Sequence, residues 1–101
     1  MNTQKVITLG LCEGRHEMPG VDEYVFPSCL EVDFSIKGIM NLNAMAYNRM
    51  AEYTGRQVGL YVTGFSCALA AVIAACIRLE IPLTLWHYNR DNGEYVPQEV
   101  W

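Results

Sequence analysis

Short runs of apolar, partly β-branched residues recur along the chain and predict buried strands. The strong runs extend from Lys5 to Leu11, from Gln57 to Thr63 and from Pro82 to Tyr88. A shorter run, Tyr24 to Phe26, predicts a weak strand that Pro27 closes. The chain therefore supplies at least three strong strands.

Two longer segments have the apolar spacing of helices. From Ile36 to Tyr53 the apolar residues recur roughly on one helical face. Asp33 or Ser35 is placed to cap the start of this helix, and Gly55 is placed to end it. The second segment, Ser66 to Leu79, is apolar almost all round and rich in alanine, which allows close packing on a sheet.

The order of these elements predicts the fold class. Alternating strands and helices are typical of a parallel sheet flanked by helices. The Asn92-Gly93 pair predicts a hairpin, and Glu94 to Val100 predicts an antiparallel edge strand, because Pro97 cannot donate to a ladder. We expect one domain over residues 1–101: a small Rossmann-like, three-layer α/β fold with a mostly parallel sheet and an antiparallel C-terminal hairpin strand. The second helix is compatible with either face.

Composition narrows the possible functions. Of 101 residues, 51% are hydrophobic and 18% are charged, which excludes a disordered chain. The net charge of −4 argues against binding duplex nucleic acid, although backbone N–H groups can still hold a small anion. The longest apolar stretch, Phe65 to Ile77, is too short to span a membrane. With no export signal, we expect a cytoplasmic protein whose four cysteines are thiols.

Candidate chemistry gathers after the three strong strands. The carboxyl ends of parallel strands meet at one edge of a sheet, and open α/β sheets bind ligands there. The segments that follow these strands hold both histidines of the chain. The candidate ligand-binding residues are Glu13, Gly14, Arg15, His16, Thr63, Gly64, Phe65, Ser66, His87 and Asn89.

Three of these positions have specific predicted roles. The turn from Thr63 to Ser66 opens a helix, whose free N–H groups and partial positive charge attract phosphate. The same turn is equally explained by Ser66 capping its own helix. Arg15 is suited to clamp a phosphate through its planar guanidinium, and His16 is the candidate catalytic acid–base.

Several other chemistries find no support in the sequence. There is no G-x-G-x-x-G or Walker pattern, and no C-x-x-C or H-x-x-x-H spacing, so no cofactor and no metal site are predicted. A reactive thiol from Cys12 or Cys67 is a further hypothesis. Cys67 and Cys76 lie in an apolar helix, however, where cysteine usually serves as a small core residue.

The stretch from Gln57 to Gln98 resembles the later half of CRISPR-associated Rossmann-fold sensor domains. It shares a strand ending in the Thr63-Gly64 turn, an apolar helix, and a final strand that runs into a hairpin. The resemblance implies a homodimer in antiviral defence that binds a cyclic oligonucleotide across its two-fold axis. It implies a site formed by Cys12 to His16 and by Thr63 to Ser66. The chain departs from the family in size and lacks some of its usual strands.

Three hypotheses for function remain open at this stage. The first is a homodimer that binds a nucleotide or another phosphorylated small molecule at the carboxyl edge. The second is an enzyme that cleaves phosphodiesters or esters with His16, and whether the protein is an enzyme stays undecided. The third is a structural or partner-binding protein that uses aromatic residues of the hairpin, Trp86 and Tyr95, together with Trp101.

Overall fold

Five strands form a single sheet in the computed structural model, which describes residues 6–12, 20–26, 33–63 and 66–101. The sheet has the order β2-β1-β3-β4-β5. Strands β1 to β4 run parallel, and β5 is antiparallel to β4. This confirms the predicted α/β class and the antiparallel C-terminal strand. The strands are β1 (Val6–Cys12), β2 (Glu23–Phe26), β3 (Gln57–Tyr61), β4 (Leu83–Asn89) and β5 (Glu94–Glu99).

Two helices among the described residues connect the parallel strands. Helix α1 (Ile36–Met50) continues into a 3₁₀ turn (Ala51–Tyr53) between β2 and β3, and α2 (Ser66–Arg78) joins β3 to β4. Both connections run in the same direction across the sheet, so right-handed crossovers place both helices on one face. The helices accordingly contact each other, with the Arg78 guanidinium 4.7 Å from the centroid of the Tyr47 ring. None of the helices in these ranges is long and apolar enough to cross a membrane.

The number of layers differs from the expectation within the residues described. The sequence predicts three layers, whereas the described helices and strands make two, one helical and one formed by the sheet. The reason is topological, because the two helical crossovers share one direction and therefore one face. We call the side of the sheet that packs on α1 and α2 the helix face.

The helix face holds the hydrophobic core. Leu9, Leu60 and Leu85 lie side by side on β1, β3 and β4, and none is more than 4% exposed. Small and apolar side chains of both helices complete this core. They are Leu42, Ala46 and Met50 of α1, and Ala68, Ala71, Val72, Ala75 and Cys76 of α2.

The start of α1 confirms the predicted cap. Ser35 is the N-cap, and its Oγ accepts a hydrogen bond from the Gly38 N–H at 3.0 Å. Asp33 supports the cap by accepting from the Ser35 N–H at 3.1 Å. A Cβ atom on Gly38 would lie 2.1 Å from the Asp33 carbonyl oxygen, so the chain can reverse this tightly only with glycine there. After the 3₁₀ turn, Gly55 adopts a φ of +82°, the left-handed conformation expected at a helix end.

The opposite side of the sheet carries aromatic residues. Tyr61, Trp86, Tyr88 and Tyr95 occupy this side of β3, β4 and β5, which we call the aromatic face. The Tyr61 and Tyr95 ring centroids are 4.6 Å apart, and those of Tyr88 and Tyr95 are 5.3 Å apart. Tyr88 is nevertheless 55% exposed, and neither α1 nor α2 packs on this face.

Strand β5 ends the sheet, as its proline predicts. Pro97 pairs with Trp86 across the β4–β5 ladder. The Val100 N–H bonds to the Leu83 carbonyl at 2.8 Å, and Pro97 lies three residues earlier, so its nitrogen faces away from β4. The missing N–H of Pro97 therefore removes nothing from the ladder, and it lies on the outer edge.

Candidate functional site

The carboxyl ends of β1 and β3 flank the point where the sheet reverses its winding. From β1 the chain proceeds to β2 on one side, and from β3 it proceeds to β4 on the other. This crevice is the topological switch point at which open α/β sheets bind ligands. Gly10 pairs with Tyr61, so Cys12 and Thr63, two residues further along each strand, come next at this edge. Cys12 is 2% exposed and Thr63 is 8% exposed.

The Thr63 hydroxyl is the unusual polar group at this edge. Its Oγ1 is buried, and no residue in the part of the chain that the structure describes bonds to it. Thr63 is also the single buried polar residue among those described. A buried hydroxyl without a partner destabilises a protein by about 1–3 kcal/mol. A hydrogen-bonding ligand that reached this atom would remove that penalty.

Helix α2 begins three residues after Thr63, at Ser66. Its first turn contains no acidic residue, and its last turn carries Arg78. The N–H groups of a first turn have no partner within the helix, and the helix dipole adds a partial positive charge there. The buried hydroxyl and the start of a 13-residue helix therefore adjoin at the switch point, and both can donate hydrogen bonds to an anion.

The predicted site residues divide into those the structure places and those outside it. Thr63 and Ser66 adjoin at the switch point, and His87 and Asn89 lie on β4, the neighbouring strand. The remaining predictions lie outside the described residues and stay predictions. They are Glu13, Gly14, Arg15, His16, Gly64 and Phe65.

His87 and Asn89 have partners within the β4–β5 hairpin. The His87 Nε2 lies 2.7 Å from the Gln98 Oε1, and the Asn89 Oδ1 accepts from the Asp91 N–H at 3.0 Å. His87 also follows Trp86 directly, so its side chain points to the opposite side of the sheet from the aromatic face. The first contact joins the two strands and the second lies at the turn, and a ligand that binds His87 has to compete with Gln98.

The thiols and the metal-binding groups add little chemistry to this edge. Burial raises the pKa of the Cys76 thiol to about 12, which keeps it protonated at neutral pH. Cys76 is thus the small core residue that the sequence predicts, and Cys67 on the same helix is half-buried. Within the ranges described, no three His, Cys, Asp or Glu side chains converge to hold a metal ion.

A polar cluster at the amino end of β2 escaped the sequence analysis. The Arg49 Nη2 lies 2.7 Å from the Glu23 Oε1, and its Nη1 lies 2.7 Å from the Glu52 Oε1. The Tyr53 hydroxyl donates to the same Glu23 carboxylate, and the Arg49 guanidinium lies 5.4 Å from the Tyr53 ring centroid. The i, i+4 spacing of Arg49 and Tyr53 was visible in the sequence. Their common partner was not, since Glu23 is 26 residues from Arg49.

Proton affinities in this polar cluster follow from these contacts. The Tyr53 hydroxyl first, and the Arg49 guanidinium second, hold the pKa of Glu23 below its ordinary value. Burial, helped by the hydrogen bond to Glu23, raises the pKa of Tyr53 to about 12. At neutral pH the cluster therefore contains a carboxylate, a guanidinium and a neutral phenol, each suited to its partners.

Known proteins offer no guide to this site: the chain matches no family model, no curated protein and no solved structure.

Proposed function

We propose that this protein binds a nucleotide or another phosphorylated small molecule at the switch point between β1 and β3. A phosphate oxygen would accept hydrogen bonds from the Thr63 hydroxyl and from N–H groups in the first turn of α2. The observation that carries the proposal is the buried Thr63 Oγ1, which has no partner among the described residues. Its position beside a helix start at a switch point makes an anion the natural partner.

The remaining parts of the binding site come from the sequence predictions. Arg15 would neutralise the phosphate, and Glu13 to His16 would contact the rest of the ligand from the loop after β1. The resemblance to CRISPR-associated sensor domains makes a cyclic oligonucleotide the first ligand to test, bound by a homodimer in antiviral defence. The half-buried Cys67 and the protonated Cys76 thiol suit a reducing, cytoplasmic compartment.

Isothermal titration calorimetry tests this binding site directly. The panel comprises inorganic phosphate, adenosine mono- and triphosphate, and cyclic di-, tri- and tetra-adenylate. We expect at least one phosphorylated ligand to bind, and Thr63→Val to weaken it by about tenfold or more, since a hydrogen bond to a charged group is lost. Arg15→Ala is expected to weaken it further.

Thr8→Val is the matched control, because Thr8 is a half-buried strand residue on β1, away from the switch point. It is expected to bind like the wild type. Unchanged affinity in Thr63→Val would contradict the proposed site, and no binding by any ligand of the panel would contradict the proposed function. If the wild type hydrolysed a ligand, and His16→Ala bound that ligand without hydrolysing it, the protein would be an enzyme that uses His16.

A second candidate function is self-association through the aromatic face. Tyr88 and Trp101 are each more than half exposed, and the Tyr95 ring packs at a tilt against Tyr88 on the outer hairpin. Sheets of parallel strands are ordinarily covered on both faces. Neither described helix covers the aromatic face, and a second copy of the chain would cover it. Sedimentation velocity should then show a dimer that Tyr88→Ser weakens. A monomer at about 100 μM would contradict this interface.

A further inference from the structure

A groove runs across the amino ends of β1, β3 and β4 on the aromatic face. Its volume is about 280 Å³, and Gly59, Thr84, Trp86, Glu99 and Trp101 are among the residues that line it. Gly59 pairs with Thr84, and Thr84 pairs with Glu99, so these three residues form one row across neighbouring strands. The groove therefore has the small residues Gly59 and Thr84 as its floor, Glu99 at the end of the same row, and an indole ring on the next row.

The glycine at position 59 makes this shape possible. A Cβ atom on Gly59 would lie 3.0 Å from the Trp86 Nε1 and 3.4 Å from its Cδ1. The side chain of any larger residue at position 59 would therefore press against the Trp86 indole. The Tyr61 ring, two residues along β3, lies beside this indole, with its centroid 6.5 Å from that of Trp86.

Charge decides what such a groove can hold. Among the described residues that line the groove, Glu99 is the only one with an ionisable side chain, and it is exposed. Indole rings present a negative face that attracts cations, most strongly among the aromatic side chains. A net charge of −4 on the chain adds to the same preference. The charge of an organic cation is therefore complementary to that of the groove.

We propose that this groove binds a small organic ammonium ion, which contacts the two indole rings while the Glu99 carboxylate balances its charge. The inference does not depend on the proposed phosphate site. That site lies at the opposite, carboxyl edge of the sheet and recognises the opposite charge. The two proposals can therefore fail separately.

Tryptophan fluorescence gives a selective readout, because the chain has two tryptophans and both line the groove. Choline chloride is titrated at constant ionic strength to about 100 mM, a range that covers weak, millimolar binding. The comparison ligand is 3,3-dimethylbutan-1-ol, which has the same shape without the charge. We expect a saturable emission change with choline. The neutral alcohol is expected to bind about two- to fivefold more weakly than choline, or more weakly still.

Variants on β5 separate this site from general charge effects. Glu99→Gln is expected to weaken choline binding about two- to fivefold, because the counter-charge is lost while the shape is kept. Glu94→Gln removes the same charge from the other end of the same exposed strand, and it is expected to bind choline like the wild type. Both residues are exposed, and circular dichroism checks that both variants fold.

The remaining outcomes overturn the proposal. No saturable change with choline would exclude the site. Equal affinities for choline and the alcohol would show an apolar groove without charge selection. If Glu99→Gln bound choline like the wild type, Glu99 would not be the counter-charge of the ligand. Gly59→Ala gives an independent test, since displacement of the Trp86 indole should weaken choline and the alcohol alike.

Discussion

Two strand ends in the sheet treat their polar groups in opposite ways. At the amino end of β2, the side chains of Glu23, Arg49 and Tyr53 bond to one another. At the carboxyl end of β3, the Thr63 hydroxyl is buried and finds no partner among the described residues. The first arrangement stabilises the fold, whereas the second leaves a hydroxyl group that can bond to a ligand. The comparison separates a structural end from a candidate binding end.

The strongest test of the structural end is Arg49→Met. This change keeps the aliphatic stem but removes the ion pairs to Glu23 and Glu52 and the bond to the Tyr24 carbonyl. We expect the free energy of unfolding to fall by about 1–2 kcal/mol, measured by urea denaturation. Arg90→Met, at the exposed hairpin turn, is the control and should change stability by less than about 0.5 kcal/mol. Similar losses of stability in both variants would show that the polar cluster at the amino end of β2 does not stabilise the fold specifically.

A smaller change, Tyr53→Phe, isolates one hydrogen bond of the same end. It removes the hydroxyl that donates to Glu23 and keeps the buried ring. The free energy of unfolding should fall by about 1 kcal/mol, while the affinity for phosphorylated ligands stays unchanged. Tyr47→Phe serves as the control, since the Tyr47 ring contacts Arg78 through its face and this contact survives the change. An altered ligand affinity in Tyr53→Phe would show that the two ends are not independent.

The pH dependence of the free energy of unfolding tests whether Glu23 and Tyr53 stabilise the fold. The pKa of Glu23 is lowered in the folded state, so its contribution is present above the ordinary value of 4.5 and is lost as the pH falls below it. The pKa of Tyr53 is raised from 10.0 to about 12, so its contribution holds below pH 10 and is lost as the pH rises towards 12. Urea denaturation between pH 3 and 7 should show the stability difference between wild type and Glu23→Gln shrinking below about pH 4.5. A difference that stays constant with pH would contradict the lowered pKa.

At the carboxyl end the smallest change in stability is expected. Thr63→Val replaces an unpartnered hydroxyl by a methyl group of the same size. The free energy of unfolding without ligand should stay within about 0.5 kcal/mol of the wild type or rise, since no hydrogen bond among the described residues is lost. A fall of about 2 kcal/mol would show that the hydroxyl already serves the fold, and the contrast between the two ends would disappear.

The sequence predicted the order and type of the elements because their signals are local. The apolar runs of β1, β3 and β4, the cap at Ser35 and the proline of β5 are each readable within a few residues. The strand order, and with it the single face that both helices share, depends on which strands pair at long range. Periodicity does not specify that pairing, so the expected third layer is absent from the described elements.

The candidate site was predictable only in outline. The rule that ligands bind at carboxyl strand ends selected Thr63 and Ser66 from their place after β3. It also selected Asn89, whose Oδ1 accepts from the Asp91 N–H two residues away, and His87, whose partner Gln98 becomes visible only with the strand register. That the Thr63 hydroxyl is buried without a described partner depends on packing, which a linear pattern does not contain. The phosphate role of Arg15 and the catalytic role of His16 stay predictions.

Pro97 has a consequence for how copies of this protein can meet. The outward-facing backbone positions of β5 are those of Tyr95, Pro97 and Glu99, and the middle one lacks an N–H. A strand from another molecule could form only a broken row of bonds along this edge, so growth of a continuous intermolecular β-ribbon is disfavoured there. Pro97 thus disfavours fibre formation along the β5 edge of the sheet.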